Sequence, residues 1–369
     1  MSEDPPQRTA RKGRGALNDP DVRFEAWTRV AIDDGWGSLD EPPPPLTTTV
    51  GIDRPRRVIA WNQSPDLPFD RSLNPYRGCE HGCIYCYARP DHARIGLSPG
   101  QDFESRLLYK ADAASRLEEE LRRPGYEPAS INLGANTDPY QPIERDYRVT
   151  RSLLAVLAEF RHPVTIVTKG ALIERDLDLL QELARYDAVA VMVSLTSLDR
   201  GLKRRLEPRA AAPRRRLQVI ERLSAAGIPC GTLIAPVIPA LTDHELEQLV
   251  SAAGDAGARS AGYVLLRLPR EVRPLFEDWL HHHYPDRAER VLSRLRACHA
   301  GAAYDPQFGR RMQGTGPWAA LLAQRFRQAC HRAGIAPARR ITPSSAHFQA
   351  PPRAGDQGEL FPESPAPHR

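Results

Sequence analysis

The sequence predicts an α/β fold built on a parallel sheet, and three observations carry that expectation. Between about residues 72 and 268, short runs of β-type residues alternate with segments of helical pattern, the order that βα units leave in a chain. The strand cores, such as VAVMV, are nearly continuous in apolar residues, as expected of strands covered on both faces. A chain of 369 residues with 41% hydrophobic content is enough for one large domain with extensions, or for two domains.

Taken in order, residues 1–20 are rich in Pro, Arg and Gly and poor in apolar positions, so they read as a disordered tail. Residues 21–70 form an N-terminal extension, broken at Pro42 to Pro45 by a polyproline-II-like stretch. The core occupies 71–270. Its first strand lies near Leu73, followed by Ala129–Gly134, Val164–Thr168, Val189–Leu195, Gly231–Val237 and Gly262–Leu268. The intervening helices are expected at Thr150–Phe160, Arg175–Ala184, Pro213–Ala226 and Asp243–Ala256. Residues 271–344 read as a helical region capping the core, and 345–369 as a second disordered tail. The run His281, His282 and His283 is not a metal site, because consecutive helical residues point about 100° apart.

No apolar run approaches the ~18 residues of a membrane span. The N-terminus MSEDPPQRTARKGRG lacks the apolar stretch of a secretory signal. The expected location is the cytoplasm, with no membrane partner and with thiols kept reduced. A net charge of +5 permits a nucleic-acid partner without requiring one.

The chemistry-bearing motif is Cys79-Glu-His-Gly-Cys83-Ile-Tyr-Cys86-Tyr, three thiols spaced Cys-x3-Cys-x2-Cys. A [4Fe-4S] cluster normally takes four thiolates, so three leave one iron open to bind and cleave a substrate. The alternative is structural zinc, with His81 as the fourth ligand. A loop this tight hardly presents four ligands tetrahedrally, and Cys230, Cys298 and Cys330 are isolated, so no second Cys-x2-Cys arm exists. A disulfide framework does not suit a long chain with six cysteines.

The motif closely resembles the signature of radical S-adenosylmethionine (radical SAM) enzymes. Together RSLNPYRGCEHGCIYCYAR, GANTDPYQPIE, TKG, LEPRAAAPRRRLQVI and APVIPALTD resemble a bacterial radical SAM family of unassigned substrate, described as DNA repair photolyase-like and related to spore photoproduct lyase. The likeness extends to KGRGALNDPDVRFE and YDPQFGRRMQGTGPWA near the two ends. It implies a partial (β/α)6 TIM-type barrel with a helical C-terminal extension, and a [4Fe-4S] cluster on Cys79, Cys83 and Cys86. It also implies SAM as second cofactor, reductive cleavage to a 5′-deoxyadenosyl radical, and a one-electron donor of flavodoxin or ferredoxin type. Tyr85 is placed against the SAM adenine. Tyr85 and Tyr87 match tyrosines of the radical relay in spore photoproduct lyase, which makes them the catalytic candidates. That enzyme's hydrogen-donating cysteine has no counterpart between Ile131 and Tyr147, so spore photoproduct lyase activity itself is not expected.

In such barrels the chemistry lies at the carboxyl ends of the strands. SAM carries an ammonium, a carboxylate and ribose hydroxyls, and the polar strand ends supply partners for them. Asn136, Thr137, Asp138 and Glu144 follow the first long strand; turn chemistry is the competing explanation there. Lys169 stands at the next strand end to pair with the SAM carboxylate, while Gly170 allows a sharp exit. Ser194, Thr196 and Ser197 end the strand after that. Residues Arg200 to Arg216 hold eight basic side chains and one acid, Glu207, with Arg214, Arg215 and Arg216 in the first turn of a helix that starts at Pro213. Cations there oppose the helix dipole, so an anion is expected nearby: the SAM carboxylate through Arg209 or Arg216, or a nucleic-acid phosphate. In the tail, Gln357 to Phe361 resembles the short peptide by which bacterial DNA enzymes dock on the sliding clamp. The competing function is a zinc- or cluster-stabilised non-catalytic protein recruited to DNA through that peptide.

Overall fold

The computed structural model describes residues 10–26, 45–337 and 341–352. Eleven strands and eleven α-helices are formed among them. The strands are β1 (Thr49–Ile52), β2 (Ile59–Trp61), β3 (Arg71–Leu73), β4 (Tyr76–Arg77), β5 (Arg106–Tyr109), β6 (Ile131–Leu133), β7 (Val164–Thr168), β8 (Val189–Ser194), β9 (Cys230–Val237), β10 (Ser260–Leu265) and β11 (Ala336–Pro337). Six of them, β3, β6, β7, β8, β9 and β10, lie side by side in chain order, every pair parallel. That order is the one a (β/α)6 unit produces. β2 pairs antiparallel with β3 at one edge and β11 parallel with β10 at the other. A separate sheet has the order β1-β5-β4.

The helices are α1 (Asp102–Ser105), α2 (Ala113–Leu121), α3 (Glu144–Tyr147), α4 (Val149–Glu159), α5 (Leu177–Ala184), α6 (Arg200–Leu206), α7 (Pro213–Ala225), α8 (Leu246–Asp255), α9 (Val272–His283), α10 (Pro285–Cys298) and α11 (Gly316–Arg332). Their starts follow local chemistry. Asp199 caps α6 by accepting from Gly201 N at 2.6 Å and Leu202 N at 3.2 Å. Pro213 opens α7, where its missing N–H would have been unpaired anyway. The main core lies between the sheet and α2, α4, α5, α7, α8 and α11, joining Leu133, Ile166, Val191 and Val193 to Leu154, Leu180, Ile220 and Leu249. A second core joins Ile84 and Tyr85 to Leu202, Leu206, Leu268, Phe276, Trp279 and Leu295.

β7 covers the expected residues, and the other parallel strands differ by a few at their ends. β10 differs most: it starts at Ser260 and stops at Leu265, not Leu268. The register slips between Tyr263 and Leu265, and Leu266 and Leu268 turn away to pack in the second core. The C-terminal region does more than cap. α9 and α10 cover the cysteine loop, whereas α11 packs beside α8 and leads into β11.

The two ends pack further than composition suggests. Residues 10–20 were expected to be disordered, yet Arg14, Gly15, Ala16 and Leu17 are buried. Their anchor is polar: Gly15 N and Ala16 N donate to the carboxylate of Glu104 at 2.8 and 2.9 Å, and Arg14 donates to the Glu104 carbonyl at 2.5 Å. At the other end Phe348 packs against Tyr126, Phe160 and His162. The Gln357 to Phe361 peptide lies outside the described residues.

Candidate functional site: a cysteine loop at the carboxyl ends of the parallel strands

Cys79, Cys83 and Cys86 occupy one loop between β4 and a 3-10 turn, Arg89–Ile95. Gly78 and Gly82 hold its backbone in the left-handed region, with φ of +73° and +67°. A Cβ on Gly82 would lie 2.8 Å from Glu104 Oε2. Arg89 fastens the loop from below, donating to the carbonyls of Cys83 at 3.0 Å, Pro99 at 3.1 Å and Gly100 at 2.8 Å. Its charge is met by Glu104 at 2.5 Å, both side chains being 0% exposed. Glu104 therefore ties Arg89, the loop and residues 14–16 into one unit.

All three thiols are free of disulfides. Burial pushes Cys83 up to about 12, with Glu207 adding to it, and raises Cys79 well above the usual thiol range, with Asp138 and the neighbouring thiols adding to it. Burial also raises Cys86, against the pull of Arg89. Among the described residues, no three His, Cys, Asp or Glu side chains converge as a single metal ion requires. A cluster spreads its ligands over several irons, so three thiols around one loop, Cys79 and Cys83 buried and Cys86 half-buried, are a donor set that fits a [4Fe-4S] group.

The next layer centres on Glu207, the lone acid of the basic run. The Tyr85 hydroxyl donates to Glu207 Oε1, and Thr196 donates to the same oxygen at 2.8 Å. Arg216 donates to Glu207 Oε2 and, through Nη1, to the Ser194 carbonyl at 3.0 Å. Burial alone would raise the Glu207 carboxyl, but Arg216 and Lys169 hold it down at about 2. Burial and the nearby anions push the Tyr85 phenol well up, so it stays a neutral donor. The anion expected at the start of α7 is thus the protein's own. Glu207 meets Arg216, and Glu174 meets Arg215 at 2.6 Å and Arg222 at 2.5 Å. Arg216 is fully engaged in this network and is not available to a SAM carboxylate.

Other expected residues divide in the same way. Asp138 is a clamp: Oδ1 accepts from Thr168 at 2.6 Å and Tyr140 N at 2.9 Å. Oδ2 accepts from Lys169 N at 2.6 Å and faces His81 Nδ1 at 3.2 Å. Burial opposes its charge, and His81 and these donors win, holding it at about 2. It joins the cysteine loop to the ends of β6 and β7, and its acceptor positions are filled. Glu144 is likewise internal, accepting from Tyr76, from Thr150 N at 2.9 Å at the start of α4, and from Arg175 at 2.5 Å. Thr137 donates to the Tyr76 carbonyl at 3.0 Å. Thr196 also donates to the Ala235 carbonyl, and Ser197 accepts from Asp199 N. These residues build the site's walls, because burying a polar group requires that its hydrogen bonds be made.

Four expected residues face outward or stay accessible. Lys169 is half-buried, with Nζ 5.8 Å over the Tyr85 ring and no carboxylate partner among the described residues. Gly170 beside it is needed for close approach, since a Cβ would lie 2.3 Å from the Tyr140 carbonyl oxygen. Arg209 reaches Glu80 at 3.1 Å, and Asn136 is exposed, donating to Asp91 at 3.2 Å. Tyr87 is 47% exposed, its hydroxyl anchored on the Ala135 carbonyl. Ser194 sits buried at the end of β8. The Arg89–Glu104 pair and Gln141 were not legible as site residues, and His81, weighed only as a zinc ligand, instead faces Asp138. Gln141 accepts from Glu80 N at 2.8 Å and donates to the Gly78 carbonyl at 3.2 Å, bracing the loop from the far side. The one available signal for the pair was position, since Arg89 falls beside the cysteine motif.

Comparison with known proteins agrees with this geometry. The family model of the radical SAM superfamily matches residues 73–253, from β3 through most of α8. An uncharacterised protein of Mycobacterium tuberculosis is 38% identical over 258 residues, 69% of this chain and 75% of its own length. One of Methanocaldococcus jannaschii is 25% identical over 227 residues, 60% of this chain and 79% of its own. Among solved structures, spore photoproduct lyase complexed with dinucleoside spore photoproduct shares the fold with a TM-score of 0.53 at 15% identity, covering 78% of this chain and 80% of that one. A double mutant of that lyase with bound AdoMet and the same dinucleoside gives 0.51 at 16% identity and the same coverage. With the cysteine loop inside the matched span, the chain belongs to the radical SAM superfamily, whose cofactors are a [4Fe-4S] cluster and SAM.

Proposed function

We propose that the protein cleaves SAM reductively on a cluster held by Cys79, Cys83 and Cys86, and turns the resulting radical on a nucleic-acid substrate. The observation that carries the chemistry is the meeting of three thiols, two buried and one half-buried, with Lys169, which has no ion pair among the described residues, at the carboxyl ends of the parallel strands. When bound, the cluster and SAM supply the chemistry: one electron splits SAM into methionine and a 5′-deoxyadenosyl radical, which takes a hydrogen atom from the substrate. The reductant is an external donor of flavodoxin or ferredoxin type.

The chain's own residues do the positioning. Lys169 pairs with the SAM carboxylate, and Tyr85 offers its ring to the adenine while Glu207 fixes its hydroxyl. Arg216 keeps Glu207 ionised, so Tyr85 cannot rotate out of place. Of the two tyrosines flanking Cys86, Tyr87 is the one a substrate can reach. Cys230, Cys298 and Cys330 are buried, Cys230 at the start of β9 and the others in α10 and α11. They therefore do not stand in for the donor cysteine of the lyase.

The test is anaerobic reconstitution with iron and sulfide, then dithionite and SAM, assaying 5′-deoxyadenosine. A brown protein that forms it, with Cys83→Ala losing iron and activity together, is the expected result. A colourless protein carrying one zinc per chain sinks the reading.

A further inference from the structure

A second unpaired cation stands at the same rim. Arg267 lies two residues beyond β10, where the chain has left the ladder and turned toward α9. Its guanidinium carbon is 4.7 Å over the centroid of the Tyr87 ring, and Tyr87 directly follows Cys86. Among the described residues Arg267 makes no hydrogen bond and no ion pair. The acid in its neighbourhood, Asp66, is already taken by Arg311 at 2.6 Å and by Gly309 N at 2.5 Å. Asp91, near Tyr87, is engaged by Arg94 at 3.4 Å and Asn136 at 3.2 Å. Arg209 is matched by Glu80 at 3.1 Å and Arg310 by Asp305 at 3.2 Å. Arg267 is half-buried and burial lowers its pKa, so its charge has been partly removed from water without a partner. An anion meeting that charge would stabilise it further.

The geometry specifies what kind of anion. The Arg267 guanidinium lies over the Tyr87 ring, and its N–H groups make no hydrogen bond among the described residues, so they remain able to grip a phosphate with two hydrogen bonds. Tyr87 cannot swing away, because its hydroxyl is held by the Ala135 carbonyl. The residue is nonetheless 47% exposed, which leaves surface for a base. A fixed aromatic beside a free guanidinium is how proteins hold an unstacked nucleotide: the ring takes the base and the cation takes the backbone.

We propose that Arg267 and Tyr87 form a subsite for one phosphodiester-linked nucleotide, held unstacked beside the cysteine loop. This rests on the radical SAM reading for its meaning, though not for its test. The probe is a fluorescein-labelled single-stranded oligodeoxynucleotide, with binding to the reconstituted protein followed by anisotropy across a salt series. Arg267→Gln is expected to weaken binding about tenfold and to reduce the salt slope by about 0.7, the value of one phosphate contact on a single strand. Arg267→Lys should keep most of the slope while losing affinity, because a point charge replaces the fork. Tyr87→Leu should lose about tenfold with the slope unchanged, the mark of lost stacking. Iron content of each variant reports that the loop has folded. Equal binding by wild type and Arg267→Gln overturns the subsite. Wild type that forms 5′-deoxyadenosine but ignores the oligonucleotide overturns it too and leaves the radical chemistry standing. Binding that depends on Arg267 in a protein unable to cleave SAM supports the subsite and overturns the parent reading instead.

Discussion

Replacing Glu104 with Gln should uncouple the cysteine loop from the N-terminal segment, and the size of the effect follows from its partners. The carboxylate accepts from Gly15 N at 2.8 Å, Ala16 N at 2.9 Å and Arg89 at 2.5 Å. An amide keeps one acceptor oxygen and puts an NH2 in place of the other. Whichever way it is turned, a buried N–H then faces a donor, which costs about 1–3 kcal/mol. Arg89, fully buried, also loses its counter-charge, and breaking a buried pair from one side costs about 3–5 kcal/mol. The two figures overlap, so we expect a total loss of about 3–5 kcal/mol. That is a large share of the ~5–15 kcal/mol by which proteins are stable. Anaerobic urea denaturation measures the loss. Glu182→Gln, which breaks the exposed one-turn pair with Arg185, serves as comparison at under ~1 kcal/mol. Limited trypsin digestion reads the local consequence: Arg14, buried in the native protein, becomes a cleavage site once residues 14–16 lose their acceptor. A loss below ~1 kcal/mol with Arg14 still protected would refute the argument that this carboxylate anchors both segments.

Lys169→Met should weaken SAM binding about tenfold or more at unchanged iron content, as measured by equilibrium dialysis; tight SAM binding by the variant removes Lys169 from its assigned role. Gly15→Ala places a Cβ 1.9 Å from the Gly82 carbonyl oxygen, a backbone clash no rotamer relieves. It should open Arg14 to trypsin as Glu104→Gln does, and lower the iron retained after reconstitution. Acid sensitivity should arise in part from His162, which burial pushes down to about 4 from a usual value near 6.5. The unfolded chain then binds a proton that the folded one refuses. Stability is complete above about pH 6.5 and drains away as the pH falls toward 4, by about 3 kcal/mol for this group. His162→Gln should flatten that part of the urea-midpoint profile; an unaltered profile assigns the acid sensitivity elsewhere.

The parallel strands were legible because burial on both faces writes apolar runs, and β8 is little else. Cys79, Cys83 and Cys86 were legible because a cluster on one loop needs its thiols close in sequence. Tertiary contacts decided the rest. Asp138 and Glu144 have the side chains of ligand contacts, yet their acceptor positions are filled by His81, Thr168, Tyr76 and Arg175, partners from distant segments. Arg216 belongs to a basic run whose expected anion was a ligand, and the fold supplies Glu207 instead. Residues 10–20 looked unpacked because composition counts apolar side chains, and what holds this segment is backbone N–H groups on a buried carboxylate. Arg267 differs from the paired arginines around it in nothing the sequence displays. Ligand type, local spacing and hydrophobic period are properties of the chain itself. Which charge is matched from within, and which is left to meet a ligand, depends on segments far apart in sequence arriving at the same place.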